Sequence, residues 1–132
     1  MKTITAILLI LLIGCAGSPA HIAMMSPEGL TTRTCTELCN AYAHLRNQDV
    51  RKEIERRCNI SIGEWNLIDQ KRVSIGMSED ALVCSWGYPG VYGDVNESVG
   101  IWGKHKQWVY NNGGRRSMYV YTQNGKVTSW QK

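Results

Sequence analysis

Met118-Tyr119-Val120-Tyr121-Thr122-Gln123-Asn124-Gly125-Lys126-Val127-Thr128-Ser129-Trp130 reads as a β-hairpin. Side chains alternate in character with a period of two on both sides of Asn124-Gly125, and Asn-Gly is a strong two-residue hairpin signal. Working upstream, Asn111-Asn112-Gly113-Gly114 is a turn, Lys106-Gln107-Trp108-Val109-Tyr110 is another strand, and 91–99 contains a further one. Before that the period changes. Ser78 suits a helix N-cap, Glu79 and Asp80 complement the helix dipole, and Ala81, Leu82, Val83, Cys84 and Trp86 continue the helix until Gly87 and Pro89 stop it. Val73-Ser74-Ile75 is expected to be briefly extended and Gly76-Met77-Ser78 to turn.

Three more helices are expected upstream. Thr34 with Glu37 forms a capping box, and Leu38, Tyr42 and Leu45 fall at helical spacing with Cys35 and Cys39 on the same side. Asn47 caps a short, heavily charged helix from Val50 to Cys58, whose apolar stripe is only Val50, Ile54 and Cys58. Ser61 with Glu64 opens a third helix that buries Trp65 and Ile68. Helices first and an antiparallel sheet afterwards make an α+β fold, with N-terminal helices packed on a small C-terminal sheet of three to four strands.

The chain has 132 residues, 43% of them hydrophobic and 20% charged, which suits one folded domain and excludes wholesale disorder. No apolar run approaches the ~20 residues of a spanning helix. The five Trp and six Tyr are unaccompanied by Phe, and nine of these eleven rings lie between Trp86 and Trp130. Every ring therefore carries a polar handle, and the two halves of the chain differ in kind.

Lys2 gives a positive start, and Ile4 to Ile13 forms an apolar core of the length of a secretory signal. Leu12-Ile13-Gly14-Cys15 resembles a bacterial lipobox, with cleavage between Gly14 and Cys15 and lipid on Cys15. The competing expectation is an ordinary signal cleaved after Ala20. Ala16, rather than Asp, follows Cys15 and resembles an outer-membrane address facing the periplasm. The organisation expected is then a signal at 1–14, a lipidated tether at 15–32 rich in Gly, Ser and Pro, and one domain at 33–132. Within that domain, 33–60 is a helical hairpin and 61–132 holds the remaining helices and the sheet. Export argues against a nucleic-acid partner for the mild net charge of +4.

Cys35, Cys39, Cys58 and Cys84 make an even count in an oxidising compartment, which suggests two disulfides. A helical hairpin bending at Asn47 puts Cys35 twelve residues before the bend and Cys58 eleven after it, so those two should face each other. Cys39–Cys84 would be the second pair; two buried free thiols are the alternative. The spacing lacks the Cys-x-x-Cys pairs of structural zinc sites. A Gly-rich phosphate loop and a Gly-x-Ser-x-Gly elbow are both absent from the sequence, and the three His are scattered. The expectation is a protein without catalysis, cofactor, metal or small-molecule substrate.

The sheet is the feature that asks for a function. Trp108 and Tyr110 share one face of their strand, while Tyr119 and Tyr121 oppose Met118 and Val120 on the next. If one face packs on helices, the other still carries large rings, and such a patch suits a partner. The partner-binding residues expected are Tyr88, Tyr92, Trp102, His105, Trp108, Arg115 and Arg116. The opposing expectation is that the 34–58 hairpin covers the second face.

Val73-Ser74-Ile75-Gly76-Met77-Ser78, Val83, Trp86-Gly87-Tyr88-Pro89, Trp108-Val109-Tyr110 and Asn124-Gly125-Lys126-Val127 together resemble the SmpA/OmlA (BamE-like) family of outer-membrane lipoproteins. The resemblance runs over about 61–131. It implies a fold like that of β-lactamase inhibitory protein domains and a role beside the outer-membrane barrel-assembly machinery. Trp86 stands where Leu is usual, and the Cys-bearing hairpin lies outside the family's pattern. The function expected is a lipid-anchored, periplasm-facing binding module that helps assemble or maintain the envelope through a protein partner. The alternative is an inhibitor or exclusion factor acting on a periplasmic enzyme or a foreign envelope component.

Overall fold

The computed structural model describes residues 18–90, 93–111 and 116–132. Within them the chain runs α1 (Pro19–Ala23), α2 (Pro27–Leu30), α3 (Cys35–Leu45), α4 (Gln48–Arg57), α5 (Ile62–Asp69) and α6 (Glu79–Trp86). The strands β1 (Asp94–Gly100), β2 (Gly103–Tyr110), β3 (Met118–Gln123) and β4 (Lys126–Gln131) follow. They pair antiparallel in the order β1-β2-β3-β4. The fold is α+β, with the helices N-terminal to a four-stranded sheet.

Local chemistry sets most boundaries. Asn124 and Gly125 both take positive φ, 49° and 82°, which is what a tight turn between β3 and β4 demands. Thr34 and Glu37 close a full capping box on α3, and Ser61 and Glu64 close another on α5. Asn47 accepts from the Asp49 and Val50 amides to start α4. Glu64 does more than cap its own helix. One carboxylate oxygen takes the Ser61 amide at 2.9 Å and the other takes the Ser78 amide at 2.7 Å, so it ties the start of α5 to the residue that caps α6. Burial works to raise the Glu64 carboxyl pKa, but the Ser78 and Ser61 amides outweigh it and hold the group below its ordinary value.

The core is built around α6. Ala81, Leu82, Val83, Cys84 and Ser85 are all buried, so this helix has almost no solvent face. α3 lies on one side, joined through Cys39–Cys84, and the sheet lies on the other through Trp108, Val120 and Val127. Cys35–Cys58 joins α3 to the end of α4. The α3–α4 hairpin therefore stacks behind α6 and adds a third layer; it does not cover the second face of the sheet.

One expectation needs correction. Residues 18–32 are not a free tether. Ser18 and Ser26 act as N-caps with Pro19 and Pro27 in the first helical turn, and Ile22 and Leu30 are buried in the core. The Asn47 amide donates to the Ala23 carbonyl at 3.4 Å, and the Arg57 guanidinium donates to the carbonyls of Leu30 and Arg33. The Ser-Pro pairs that suggest a linker by composition are equally good helix starts, and two apolar side chains suffice to dock the segment. Val73-Ser74-Ile75 belongs to no strand of the sheet. Instead 76–79 lies along the outer edge of β4: Gly76 donates to Val127 (2.8 Å), Val127 to Met77 (2.8 Å), and Glu79 to Gly125 (3.0 Å). That closes half of one sheet edge.

Candidate functional site

The pairing register separates the two faces of the sheet. Trp108 lies opposite Val120, which lies opposite Trp130, and Lys106 lies opposite Thr122, which lies opposite Val127. This is the helix-facing side. Trp108 is only 2% exposed. Its indole N–H donates to the Thr122 hydroxyl (3.1 Å), which donates to a Glu79 carboxylate oxygen (2.6 Å). Lys106 donates to the other Glu79 oxygen at 2.7 Å. The expectation that Trp108 meets a partner is therefore corrected. Its indole is core, because the sheet turns this side to α6 and Thr122 satisfies its N–H. Tyr110 shares that side and donates its hydroxyl to the Gly87 carbonyl at 3.0 Å. Burial, with a smaller contribution from Tyr88, pushes its phenol well above the usual range.

The opposite side carries three rows of four residues. Asp94, Val109, Tyr119 and Gln131 form one row; Asn96, Gln107, Tyr121 and Ser129 the next; Ser98, His105, Gln123 and Lys126 the last. No described helix packs there. A side-chain network crosses all four strands. The Asn96 amide donates to Gln107 (3.2 Å), the Gln107 amide donates to the Tyr121 hydroxyl (3.4 Å), and the Gln131 amide donates to the same hydroxyl (3.0 Å). A groove of about 270 Å³ runs along Asn96, Ser98, His105, Gln107 and Tyr121, with Glu97, Lys106 and Thr122 completing its lining. At its upper end the His105 Nε2 is shielded from solvent and has no hydrogen-bond partner.

The Trp102 ring stands edge-on to the His105 ring, 6.4 Å between centroids. It lies over Gly100, where a Cβ would come within 2.9 Å of the indole. Glycine at that position is what lets the indole settle against the open face. Trp102 and Ile101 form the turn between β1 and β2 and are 63% and 99% exposed, with Val99 beside them at 73%. The neighbouring hairpin braces this tip. The Asn124 amide donates to the Lys104 carbonyl at 2.8 Å, the Lys104 amide donates to the Asn124 side chain at 2.9 Å, and Gln123 donates to the Trp102 carbonyl at 3.4 Å.

The residues expected to bind a partner thus separate. Trp102 and His105 meet at the hairpin tip. Tyr88 is half-exposed, with its ring edge-on to Trp108 at 5.5 Å and its amide donating to Asn40 at 2.8 Å. Arg116 is exposed at the far end of the sheet, beside the start of β3. Tyr92, Arg115, Gly14 and Cys15 lie outside the described residues. Sequence reading missed Val99 and Ile101. The signal was there in Gly100-Ile101-Trp102-Gly103, an apolar pair in a turn whose geometry asks for no apolar residue.

Among the described residues there is no group of three or more His, Cys, Asp or Glu that could hold a metal ion, and no helix long and apolar enough to cross a membrane. No family model matches the chain, and neither a curated protein nor a solved structure is significantly similar to it.

Proposed function

We propose that the chain is a non-catalytic binding module, held by lipid on Cys15 at the outer membrane and facing the periplasm. In this reading it serves envelope assembly or maintenance by docking a protein partner on the β1–β2 hairpin tip. The observation that carries the docking claim is the exposed Ile101-Trp102 turn, continued by Val99. Ile101 and Trp102 at one braced tip form a small protruding apolar anchor of the kind that fills a partner's pocket. The lipobox motif at Leu12 to Cys15 supports the location. The motifs between Ser61 and Gln131 that resemble the SmpA/OmlA family support an envelope location.

Capture from detergent-solubilised membranes tests this reading. The intact protein should bring down envelope-assembly subunits, and Ile101→Ser with Trp102→Ser should lose them while the fold is kept. Capture only of a hydrolase or a foreign envelope protein would replace the assembly role with an inhibitory one. Cys15→Ser should move the protein from the membrane fraction to the soluble one; unchanged sedimentation would defeat the lipid anchor.

A further inference from the structure

We infer that the open face of the sheet is a binding groove for an uncharged saccharide chain. This goes beyond docking at the hairpin tip, with which it shares only Trp102. The first argument is charge. The chain carries 15 Lys or Arg and 11 Asp or Glu. Yet the twelve positions of the open face hold charge only at two corners, Asp94 and Lys126. The nearby lysines are turned away or already paired: Lys106 reaches Glu79 on the helix side, and Lys104 pairs with Glu97 at 3.5 Å. The groove's lining includes Glu97 and Lys106, but each is already paired, so among the described residues Lys126 at the corner is the cation this face leaves to an anionic ligand. A neutral ligand would meet no desolvated charge.

The second argument is hydrogen-bonding chemistry. Asn96, Ser98, Gln107, Tyr121, Ser129 and Gln131 offer amides and hydroxyls that both donate and accept. Sugar hydroxyls have the same dual character. The network from Asn96 to Gln131 fixes these groups across four strands before a ligand arrives, so little ordering remains to be done on binding. His105 Nε2 is the open valence. It is unpartnered at the end of the groove and shielded from solvent, so a ligand hydroxyl satisfies it only when a covering side chain moves aside.

The third argument is the rings. Trp102 lies against His105, and Tyr121 and Tyr119 follow down the face, two strand residues or about 7 Å apart. A pyranose has apolar C–H faces and a polar rim. Rings spaced along the strands with amides between them match that pattern, and rows repeated along the sheet suit a chain better than a single sugar.

The test uses the intact protein titrated with chitotetraose, cellotetraose and maltotetraose, followed by tryptophan fluorescence and by amide chemical shifts. At least one should bind saturably, with shifts centred on Asn96, His105, Gln107 and Tyr121. Tyr121→Ala should weaken that binding by about tenfold or more. Tyr121→Phe, which keeps the ring and the fold, should weaken it less, and Ile101→Ser should leave it unchanged. No saturable binding of any of the three, or binding indifferent to Tyr121→Ala, overturns the proposal. So does binding of a neutral Gly-Ser peptide on the same residues with no response to the sugars. Protein capture lost in Ile101→Ser while sugar binding persists, or sugar binding lost in Tyr121→Ala while protein capture persists, separates the failure of one surface from the failure of the other.

Discussion

At the residue scale, Trp108 and Trp102 are the same amino acid, six positions apart, with opposite fates. Trp108 is packed on Val120 and hydrogen-bonded to Thr122, while Trp102 tops a turn in solvent. Trp108→Ala should lower the unfolding free energy by roughly 3–5 kcal/mol, because it opens a cavity between sheet and helix. Ile101→Ser should change it by less than about 0.5 kcal/mol, since nothing packs on that side chain. Urea denaturation of the two variants checks both numbers. A neutral Trp108→Ala would contradict the face assignment. The alternation placed Trp108 and Tyr110 together on one face, but periodicity carries no information about which face the helices take.

At the element scale, the helices are short and hold their shape through carboxylates. The Thr34 amide holds the Glu37 carboxyl below its ordinary range. Arg56 does the same for Glu53, joined by Arg57 and against the pull of burial. Glu64 is held down by the Ser78 and Ser61 amides despite its burial. A carboxyl whose folded pKa is depressed stabilises the fold above its unfolded pKa and loses that contribution as pH falls toward its folded value. The melting temperature should therefore be flat near neutrality and drop as pH falls through and below the ordinary carboxylate value of 4.5. Glu64→Gln should be less stable than the parent near neutral pH and show a shallower fall in acid. An equal slope in parent and variant would remove Glu64 from the account. Thr34→Ala should cost about 1 kcal/mol through the lost cap. These elements were legible because capping is local: Thr34-Glu37, Ser61-Glu64 and Asn124-Gly125 each determine a boundary with residues in hydrogen-bond reach along the chain.

At the scale of the whole molecule, two covalent links hold a layered stack. Cys35–Cys58 spans 23 residues and Cys39–Cys84 spans 45, so both restrict long stretches of the unfolded chain. Removing the second with Cys39→Ser and Cys84→Ser together should cost roughly 3–4 kcal/mol, measured as a shift in the denaturation midpoint under non-reducing conditions. The loss should exceed that of Thr34→Ala, because the bridge joins layers where the cap serves one helix. Spacing about Asn47 was enough to set Cys35 against Cys58, since a hairpin of two helices has simple geometry. The partner of Cys39 depended on where α6 lies, which no local pattern specifies.

The sequence alone determined the α+β order, the helix caps, the hairpin turn and the presence of paired cysteines, because each rests on contacts between near neighbours in the chain. Tertiary structure alone decided that residues 18–32 dock on the core, that α6 is enclosed between α3 and the sheet, and that Gln107, Tyr119 and Tyr121 face outward while Trp108 faces in. Those outcomes depend on which apolar surfaces meet. Burial is a property of the assembled layers, and a strand's alternating pattern is satisfied equally by either face until a helix is laid against one of them.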